Sequence, residues 1–568
     1  MLILLIFLFK ASIARTYNED DVIIAYASKI GPEDNPAEYY PIKNFPIFQN
    51  SKIDLKPSPR RSLDDIIFGN CLTDVGFHFN FKKNINDQIF AEIDLNNQNN
   101  ANILNNAIQN SYWIQLFIDD LPVFYHIGNF QNGVSQIYQK VIFNIDYNDR
   151  NEIIEINVTT SSPKKIADNI KLTFSVNWIQ TNRNYNDRSY KYTNDEFFKH
   201  PIHKYSLINS GLLVFLLIVL IILLLNRISA REYNRLIQDA AFDSFEVDIN
   251  SEKGWKALHG DVFRPPFRLS PLSMICGAGT QFFVFLLVFS MLNSNKDGIK
   301  AANNGLSFGL IIYIITSPVC GFAAVTFGRA FGVLKWLRIA LGSSCIIPFI
   351  YFTSYLLASF FNISTSFSLS FSYIIILLML YILLILPLNG VGGYLAIKAK
   401  LFEINKCEVS LVPRQIPRPQ FYSQTKVLKL SVGLVCTASI ITEVYYILST
   451  MWHNVGLYAW GYLAISVIEL SAVASCATIF AIYLLLQSEN HHWQWPAFAA
   501  PATTGLFIFL YSIYYLFWRT QIHGISQIIF YLANMAAFSA AISVLAGGVG
   551  YLACMLFVHK IFSNMKLD

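Results

Sequence analysis

The chain has 568 residues and a formal net charge of +5, and only 14% of its residues are charged. A soluble globular domain carries about 25% charged residues. Hydrophobic residues make up 54% of the chain. These values exclude a disordered chain, a fibrous chain and an ordinary cytosolic enzyme. They indicate an integral membrane protein, with or without a soluble head.

Residues 1–14 predict a cleaved signal peptide. The stretch from Leu2 to Phe9 is apolar but too short to span ~30 Å of hydrocarbon. The following Ser12-Ile13-Ala14 supplies the small residues that signal peptidase requires. A short core helix is the alternative, because a brief apolar run does not separate the two.

Residues 15–204 predict one β-rich, sandwich-like domain that faces the lumen. Apolar and polar residues alternate with a period of two in several stretches, which is typical of half-buried strands. Clusters of Gly, Pro, Asn and Asp separate them. This region contains a single cysteine, Cys71, so no disulfide can form within it. The predicted strands are Val22–Ala27, Gly76–Phe81, Tyr112–Ile118, Gln139–Ile145, Ile153–Val158 and Lys171–Trp178.

Residues 205–558 predict an α-helical bundle that crosses the membrane nine times, followed by a cytosolic tail at 559–568. Most of the apolar runs reach the ~20 residues that a spanning helix needs. Two of them exceed 30 residues without a polar turn, which favours one long helix each. The runs are about 205–226, 272–294, 305–328, 336–361, 371–395, 431–451, 456–487, 500–518 and 526–558.

The distribution of Lys and Arg predicts a luminal N-terminus and a cytosolic C-terminus. With a luminal head, the cytosolic loops and tail hold 19 Lys and Arg residues, and the opposite loops hold three. Short cytosolic loops are enriched in these residues. Two glycosylation sequons, at Asn157 and Asn362, fall on the predicted luminal side.

A series of short motifs runs along nearly the whole predicted mature chain. They are Lys29-Ile30-Gly31-Pro32, Asn35-Pro36, Glu38-Tyr39-Tyr40, Asp119-Asp120-Leu121-Pro122, His259-Gly260-Asp261-Val262-Phe263-Arg264-Pro265-Pro266, Pro413-Arg414-Gln415-Ile416-Pro417, Glu443-Val444-Tyr445-Tyr446, Trp493-Gln494-Trp495 and the terminal Lys566-Leu567-Asp568. Together these motifs resemble the nonaspanins, the transmembrane nine superfamily. The chain departs from the family at two places. The head reads Phe45-Pro46-Ile47-Phe48 where the family usually has a cysteine, and the loop 236–252 lacks much of the family's acidic run.

The resemblance implies a sorting protein of Golgi and endosomal membranes. The COPI coat would read Lys566 and Asp568 of the tail and retain the protein there. Its clients would be proteins with glycine-rich or polar transmembrane helices that must reach the cell surface, some of them related to adhesion. The alternative for the tail is a solvated end whose Lys560 extends to the headgroups.

The segment around His259, Asp261, Arg264, Pro265 and Pro266 is predicted to be a rigid lead-in at the cytosolic membrane edge. Proline fixes φ and ends regular structure. Arginines here would meet anionic headgroups, at ~1 kcal/mol each. A metal site is the alternative, but the segment offers too few ligands.

Glu443 and Glu469 are the candidate functional carboxylates inside the membrane, in the sixth and seventh spans. A carboxylate in the bilayer costs a few kcal/mol and is a candidate for function by default. Ion coupling or client contact is one interpretation, and a hydrogen-bonded structural role is the other. A protonated pair would need pKa values raised by burial.

The glycines of the spans fit either close packing inside the bundle or a groove for client helices. A second cluster, Glu489, His491, His492, Trp493 and Trp495, is predicted to be interfacial, because Trp anchors at the membrane edge. Adjacent His residues make metal binding there a weak alternative.

The sequence contains no motif of a hydrolase, a nucleotide-binding loop or a dinucleotide fold, so we expect no catalytic residues, no cofactor and no metal. Positive charge follows the membrane edges, which gives no support for nucleic-acid binding. The expected partners are the lipid bilayer, the COPI coat and transmembrane clients. Two further functions remain open: an ion or small-molecule transporter that uses Glu443, and an adhesion or scaffold protein that uses only its head.

Overall fold

A computed structural model describes most of the chain. The predicted signal peptide, Cys71, His259, Asn362, Lys566 and Asp568 lie outside the described residues. The described residues are 15–19, 21–33, 35, 38–42, 45, 72–94, 98–165, 169–189, 204–242, 255, 258, 260–294, 305–333, 335–361, 371–399, 401, 413, 415–452, 459–522 and 524–563.

The N-terminal part, called the head below, is built from strands and one helix. All six strands predicted from the alternation of apolar residues are confirmed. The strands are β1 (Val22–Pro32), β2 (Tyr40–Pro41), β3 (Thr73–Asn80), β4 (Ile85–Asp94), β5 (Tyr112–Ile118), β6 (Leu121–His126), β7 (Gly128–Gln131), β8 (Val134–Ile137), β9 (Lys140–Tyr147), β10 (Ile153–Thr160), β11 (Lys164–Lys165) and β12 (Asn169–Gln180), and the helix is α1 (Gln98–Gln109).

Two sheets form the predicted sandwich. One sheet has the order β2-β1-β5-β6, with β3 also paired to β1, and the other has the order β10-β9-β12-β4. The pairing of β12 with β9 is parallel. Phe77 of β3 packs against Phe143 and Phe174 of the second sheet, with ring centroids 5.4 and 5.2 Å apart. Such aromatic contacts join the two inner faces into one core.

Helix α1 was not predicted, because its sequence is rich in Asn, which has a low helix propensity. The helix buries Leu104, Ala107 and Ile108, which lie three or four residues apart. Packing of this narrow apolar face therefore overrides the weak local preference.

Asp119 and Asp120 form the turn between β5 and β6. Both residues have positive φ, 46° and 64°, a conformation that Asp tolerates better than most residues. The buried Asp119 carboxylate accepts a hydrogen bond from Tyr17 Oη at 2.6 Å and pairs with Arg188 Nη2 at 2.8 Å. Burial raises the pKa of Asp119, and Arg188 opposes that shift. This turn ties both ends of the head together.

Nine helical segments within the described residues are long and apolar enough to cross a membrane, which confirms the predicted bundle. The fourth and fifth spans consist of two helices each. The bundle helices are α2 (Lys204–Phe242), α3 (Leu269–Ser294), α4 (Gly305–Ala330), α5 (Trp336–Ser344), α6 (Ile346–Phe361), α7 (Phe371–Leu380), α8 (Leu386–Ala399), α9 (Thr425–Trp452), α10 (Ala459–Gln487), α11 (Gln494–Arg519) and α12 (Ile525–Ser563).

Proline accounts for the irregular fifth span. A π-helical turn at Tyr381–Ile385 joins α7 to α8. Pro387 has no N–H to donate to the carbonyl of Leu383, four residues earlier, and π-turns form where that ladder is interrupted.

Helix α12 lies at the centre of the bundle. Seventy-two per cent of an 18-residue apolar stretch within it is buried, and the helix packs against α3, α6, α10 and α11. It is a single helix of 39 residues, as predicted for an apolar run without a polar turn.

We expect Asp119→Ala to destabilise the head by about 3–5 kcal/mol, because it leaves the Arg188 guanidinium buried without its carboxylate. Asp120→Ala is the matched control. It has a similar backbone conformation, but its side chain is 66% exposed, so its loss costs about 1 kcal/mol or less. Hydrogen exchange of peptides from β5 and β6 in the full chain measures the difference. Equal exchange in the two variants would contradict this account of the turn.

Candidate functional site: a lateral groove and two buried carboxylates

A groove of about 550 Å³ opens on the surface of the bundle between α11 and α12. All twelve lining residues belong to these two helices. Their spacing of three or four residues places them on the facing side of each helix. They are Trp495, Phe498, Ala499, Ala502, Thr503, Gly505, Leu506, Phe509, Ala536, Ser539, Ala540 and Ser543.

Small residues shape the groove wall. A Cβ on Gly505 would collide with the carbonyl oxygen of Ser539, so Gly505 permits the close approach of α11 to α12. On α12, Ala536 and Ala540 leave the space beside that contact unfilled. Small side chains are what lets one membrane helix lie closely against another.

Ser539 gives the groove a polar group. It is 3% exposed, and its Oγ has no hydrogen-bond partner among the described residues. A buried hydroxyl without a partner costs about 1–3 kcal/mol. The Ser539 hydroxyl is thus enclosed in the groove wall with its hydrogen-bonding capacity unused.

Most of the described glycines of the spans lie elsewhere, inside helix contacts, whereas Gly390 has open space where a Cβ would be. A Cβ on Gly277 would lie 2.5 Å from the Cβ of Ala324 in α4. A Cβ on Gly548 would lie 2.8 Å from the Cα of Gly279 in α3. The structure therefore places these glycines in packing between helices. Half of the twelve groove-lining residues are Ala or Ser, which the prediction based on glycines did not include.

Glu443 is the more deeply buried of the two carboxylates. It lies on α9, is 1% exposed, and its Oε2 has no hydrogen-bond partner within the described part of the chain. The ring of Tyr445, two residues further along α9, contacts the ring of Tyr515 in α11. The guanidinium carbon of Arg519 lies 5.9 Å from the centre of the Tyr445 ring. Residues two apart on a helix do not face each other, so these contacts of Tyr445 lie on a different side of α9 from Glu443.

Glu469 lies on α10 at the contact with α2. It is 7% exposed, and a Cβ on Gly211 would be 3.8 Å from its Oε1. Glu443 lies nine residues before the end of α9, and Glu469 lies ten residues after the start of α10. At 1.5 Å per residue, Glu443 lies about 14 Å from the C-terminal end of α9, and Glu469 lies about 15 Å from the N-terminal end of α10. These two helix ends are consecutive in the chain. The two carboxylates thus occupy similar depths on neighbouring helices.

The membrane-edge segment and the Trp493 cluster, separate in sequence, form one unit. Asp261 pairs with Arg264 at 2.8 Å. The fully buried Trp493 donates its Nε1 hydrogen to the carbonyl of Val262 at 2.9 Å, and Gln494 donates to the carbonyl of Arg264 at 3.1 Å. Trp493 also stacks on Tyr551 of α12.

The same unit continues to the groove. Trp495 Nε1 donates to the carbonyl of Phe267 at 2.7 Å, and Trp495 lines one end of the groove. Pro265 and Pro266 lie between these contacts, in the extended lead-in to α3. These hydrogen bonds connect the described residues of the segment to the start of α11.

His491 stands beside this unit and is 4% exposed. Its pKa is lowered, first by burial and then by His492, while Asp261 opposes the shift. The imidazole is therefore neutral at pH 7. Among the described residues, no group of three or more His, Cys, Asp or Glu side chains could hold a metal ion.

Two further predicted features can be placed. The side chain of Asn157, on the edge strand β10, donates to Glu155 Oε1 at 2.9 Å. Its glycosylation stays a prediction. Six cysteines fall within the described residues, and all six are free thiols: Cys276, Cys320, Cys345, Cys436, Cys476 and Cys554.

A β-rich head followed, in the described part of the chain, by nine apolar segments long enough to span a membrane defines a multi-pass integral membrane protein. Comparisons with known proteins give its family. The sequence model of Endomembrane protein 70 matches residues 36–525. The chain belongs to this family, whose relatives carry the name transmembrane 9 superfamily, so the resemblance to the nonaspanins is confirmed.

Curated relatives match along almost their whole length. Transmembrane 9 superfamily member 4 of Arabidopsis thaliana is 27% identical over 100% of this chain and 98% of its own. Transmembrane 9 superfamily member 1 of Bos taurus is 26% identical over 97% and 94%. Putative phagocytic receptor 1b of Dictyostelium discoideum is 28% identical over 99% and 97%. No solved structure matches the chain.

Proposed function

We propose that this protein is a non-enzymatic sorting protein of Golgi and endosomal membranes. It holds the transmembrane helices of client proteins in the groove between α11 and α12 and so helps them reach the cell surface. The lateral groove is the observation that carries the proposal. A sorting protein needs a site that a membrane helix can enter sideways from the lipid, and this groove opens on the side of the bundle.

The chemistry of the groove favours helices with small or polar residues. Hydrophobic side chains gain little by leaving lipid for protein, so membrane helices associate through close packing and hydrogen bonds. Ala536, Ala540 and Gly505 allow close packing. Ser539, whose buried Oγ has no partner among the described residues, would offer a hydrogen bond once its side chain turns toward the groove. Such a bond contributes about 0.6 kcal/mol on average and up to ~1.7 kcal/mol inside a membrane.

The family supports a role in membrane traffic or adhesion. One relative is named a putative phagocytic receptor. We infer that the present chain likewise acts in membrane traffic or adhesion.

The proposed orientation places the head in the lumen and the tail in the cytosol. The excess of Lys and Arg, 19 residues against three, is the support for it. Retention would then depend on the tail, in which Lys566 stands two residues before the terminal carboxylate of Asp568. We propose that the COPI coat binds this pair.

Leu506→Trp is expected to block the groove and reduce the surface level of clients to that of cells without the protein. Leu510→Trp is the matched control. Both leucines are on α11 and are 50% and 53% exposed, but only Leu506 lines the groove. Surface proteomics of cells expressing each variant measures the effect and names the clients. If both variants sort clients as the unsubstituted chain does, the groove is not the client site.

Lys566→Ala is expected to move the protein from Golgi and endosomal membranes to the cell surface, because the coat loses its cationic contact. Microscopy of the tagged chain at native expression level measures this, with Lys560→Ala as the control. Unchanged residence of the Lys566 variant would refute recognition of the tail.

Ion or small-molecule transport is the second candidate function, and the buried Glu443 favours it. An intramembrane carboxylate with an oxygen that lacks a partner is typical of proton and ion pathways. We prefer sorting because the groove does not include Glu443. The groove-lining residues are on α11 and α12, whereas Glu443 is on α9.

Glu443→Gln separates these two functions. The substitution keeps the volume and removes the ionisable group, so a transporter would lose coupled flux, whereas a sorting protein would retain its surface clients. We expect proteoliposomes of the two forms to show equal flux. A flux present in the unsubstituted chain and abolished by Glu443→Gln would establish transport.

A further inference from the structure

Gln527, in the first turn of α12, is held by the head from both sides. Its Oε1 accepts a hydrogen bond from Asn35 Nδ2 at 2.7 Å. Its Nε2 donates to Glu38 Oε2 at 2.9 Å. Donor and acceptor of one amide are thus both satisfied by residues almost 500 positions earlier in the chain. A hydrogen bond to a charged carboxylate is stronger than a neutral one.

The head fixes the Glu38 carboxylate before it meets Gln527. Tyr112 Oη donates to Glu38 Oε1 at 2.7 Å, and Tyr40 Oη donates to the same oxygen at 3.3 Å. Burial, aided by Glu38, raises the pKa of Tyr40 to about 12. Burial, again with Glu38, also raises the pKa of Tyr112. Both phenols therefore remain donors at any physiological pH.

The Gly31 motif shapes the segment that presents Glu38. A Cβ on Gly31 would lie 2.9 Å from Cε1 of Tyr39 and closer still to the carbonyl of Glu38. Only glycine lets the segment fold back onto β1 this tightly. Lys29 Nζ lies 4.5 Å from the centre of the Tyr39 ring and holds it in place. The motifs around Gly31, Asn35 and Glu38 therefore build one receptacle for Gln527.

The helix that carries Gln527 also carries one wall of the groove. Ala536 follows Gln527 by nine residues, which is about 14 Å along the helix. We propose that Asn35, Glu38 and Gln527 form a latch by which the head positions α12 and sets the width of the client groove. The latch rests on the proposed function, because it gives the head control over the site where clients bind.

The latch can be tested by a distance across the groove. Spin labels carried by genetically encoded side chains are placed at Leu506 on α11 and at Ala536 on α12, in the full chain in lipid nanodiscs. Gln527→Glu puts a second carboxylate opposite Glu38. Because helices shift by about 1–2 Å in such transitions, we expect the distance peak to move or broaden by roughly 2 Å. Gln527→Ala removes both hydrogen bonds without adding a charge, so it should also move or broaden the distance peak.

Exchanging the two partners supplies the rescue. Glu38→Gln combined with Gln527→Glu restores one donor opposite one acceptor, so the original distance peak should return. Gln521→Glu is the matched control, because Gln521 is exposed just before α12 and should leave the peak unchanged. A structural role that only needs a folded head would not produce this rescue. An unchanged peak in both Gln527 variants, or no rescue by the exchange, overturns the latch.

Surface proteomics of the same variants separates the two proposals. If the peak moves in Gln527→Glu but client levels stay normal, the latch stands and the groove is not the client site. If the peak does not move, the latch is wrong whatever the clients do. If both change and both recover in the exchange, the head controls sorting through α12.

Discussion

Helix α12 is the element on which the rest of the structure depends. In a bilayer every backbone polar group must be satisfied within the protein, so a long helix is the stable form for its apolar sequence. It packs on four other helices. Its first turn binds the head through Gln527. Its middle part forms one wall of the groove, and Tyr551, nearer its C-terminal end, stacks on Trp493. One rigid rod therefore connects the head, the groove and the opposite membrane edge.

Close packing of small residues holds that rod in place. Gly279 of α3 and Gly548 of α12 meet with no room for a side chain, and Gly505 of α11 meets Ser539 of α12 in the same way. Where small residues continue without a partner helix, at Ala536 and Ala540, the same surface becomes a groove. Packing inside the bundle and the proposed binding of clients thus depend on the same feature, a helix face of small residues that another helix can approach closely.

The sequence predicted the architecture better than the site. Period-two alternation and apolar runs above 20 residues are strong signals, and both the sandwich and the bundle were confirmed. The groove could not be predicted, because Ala and Ser at helical spacing look the same in a packed contact and in an open one. The contact of Gln527 with Glu38 joins residues far apart in the chain, and a single sequence carries no sign of such a pair. Helix α1 was missed because tertiary packing overrode its Asn-rich propensity.

The central claim is that clients occupy the groove between α11 and α12. Photo-crosslinking in living cells tests it most directly, with a photoreactive side chain in place of Ala536. The control is the same side chain in place of Leu383, which is 61% exposed on the π-helical turn of the fifth span. The account predicts crosslinks to the transmembrane segments of surface proteins from position 536 and only to lipid from position 383. Equal crosslinking from both positions, or only lipid from position 536, would contradict it.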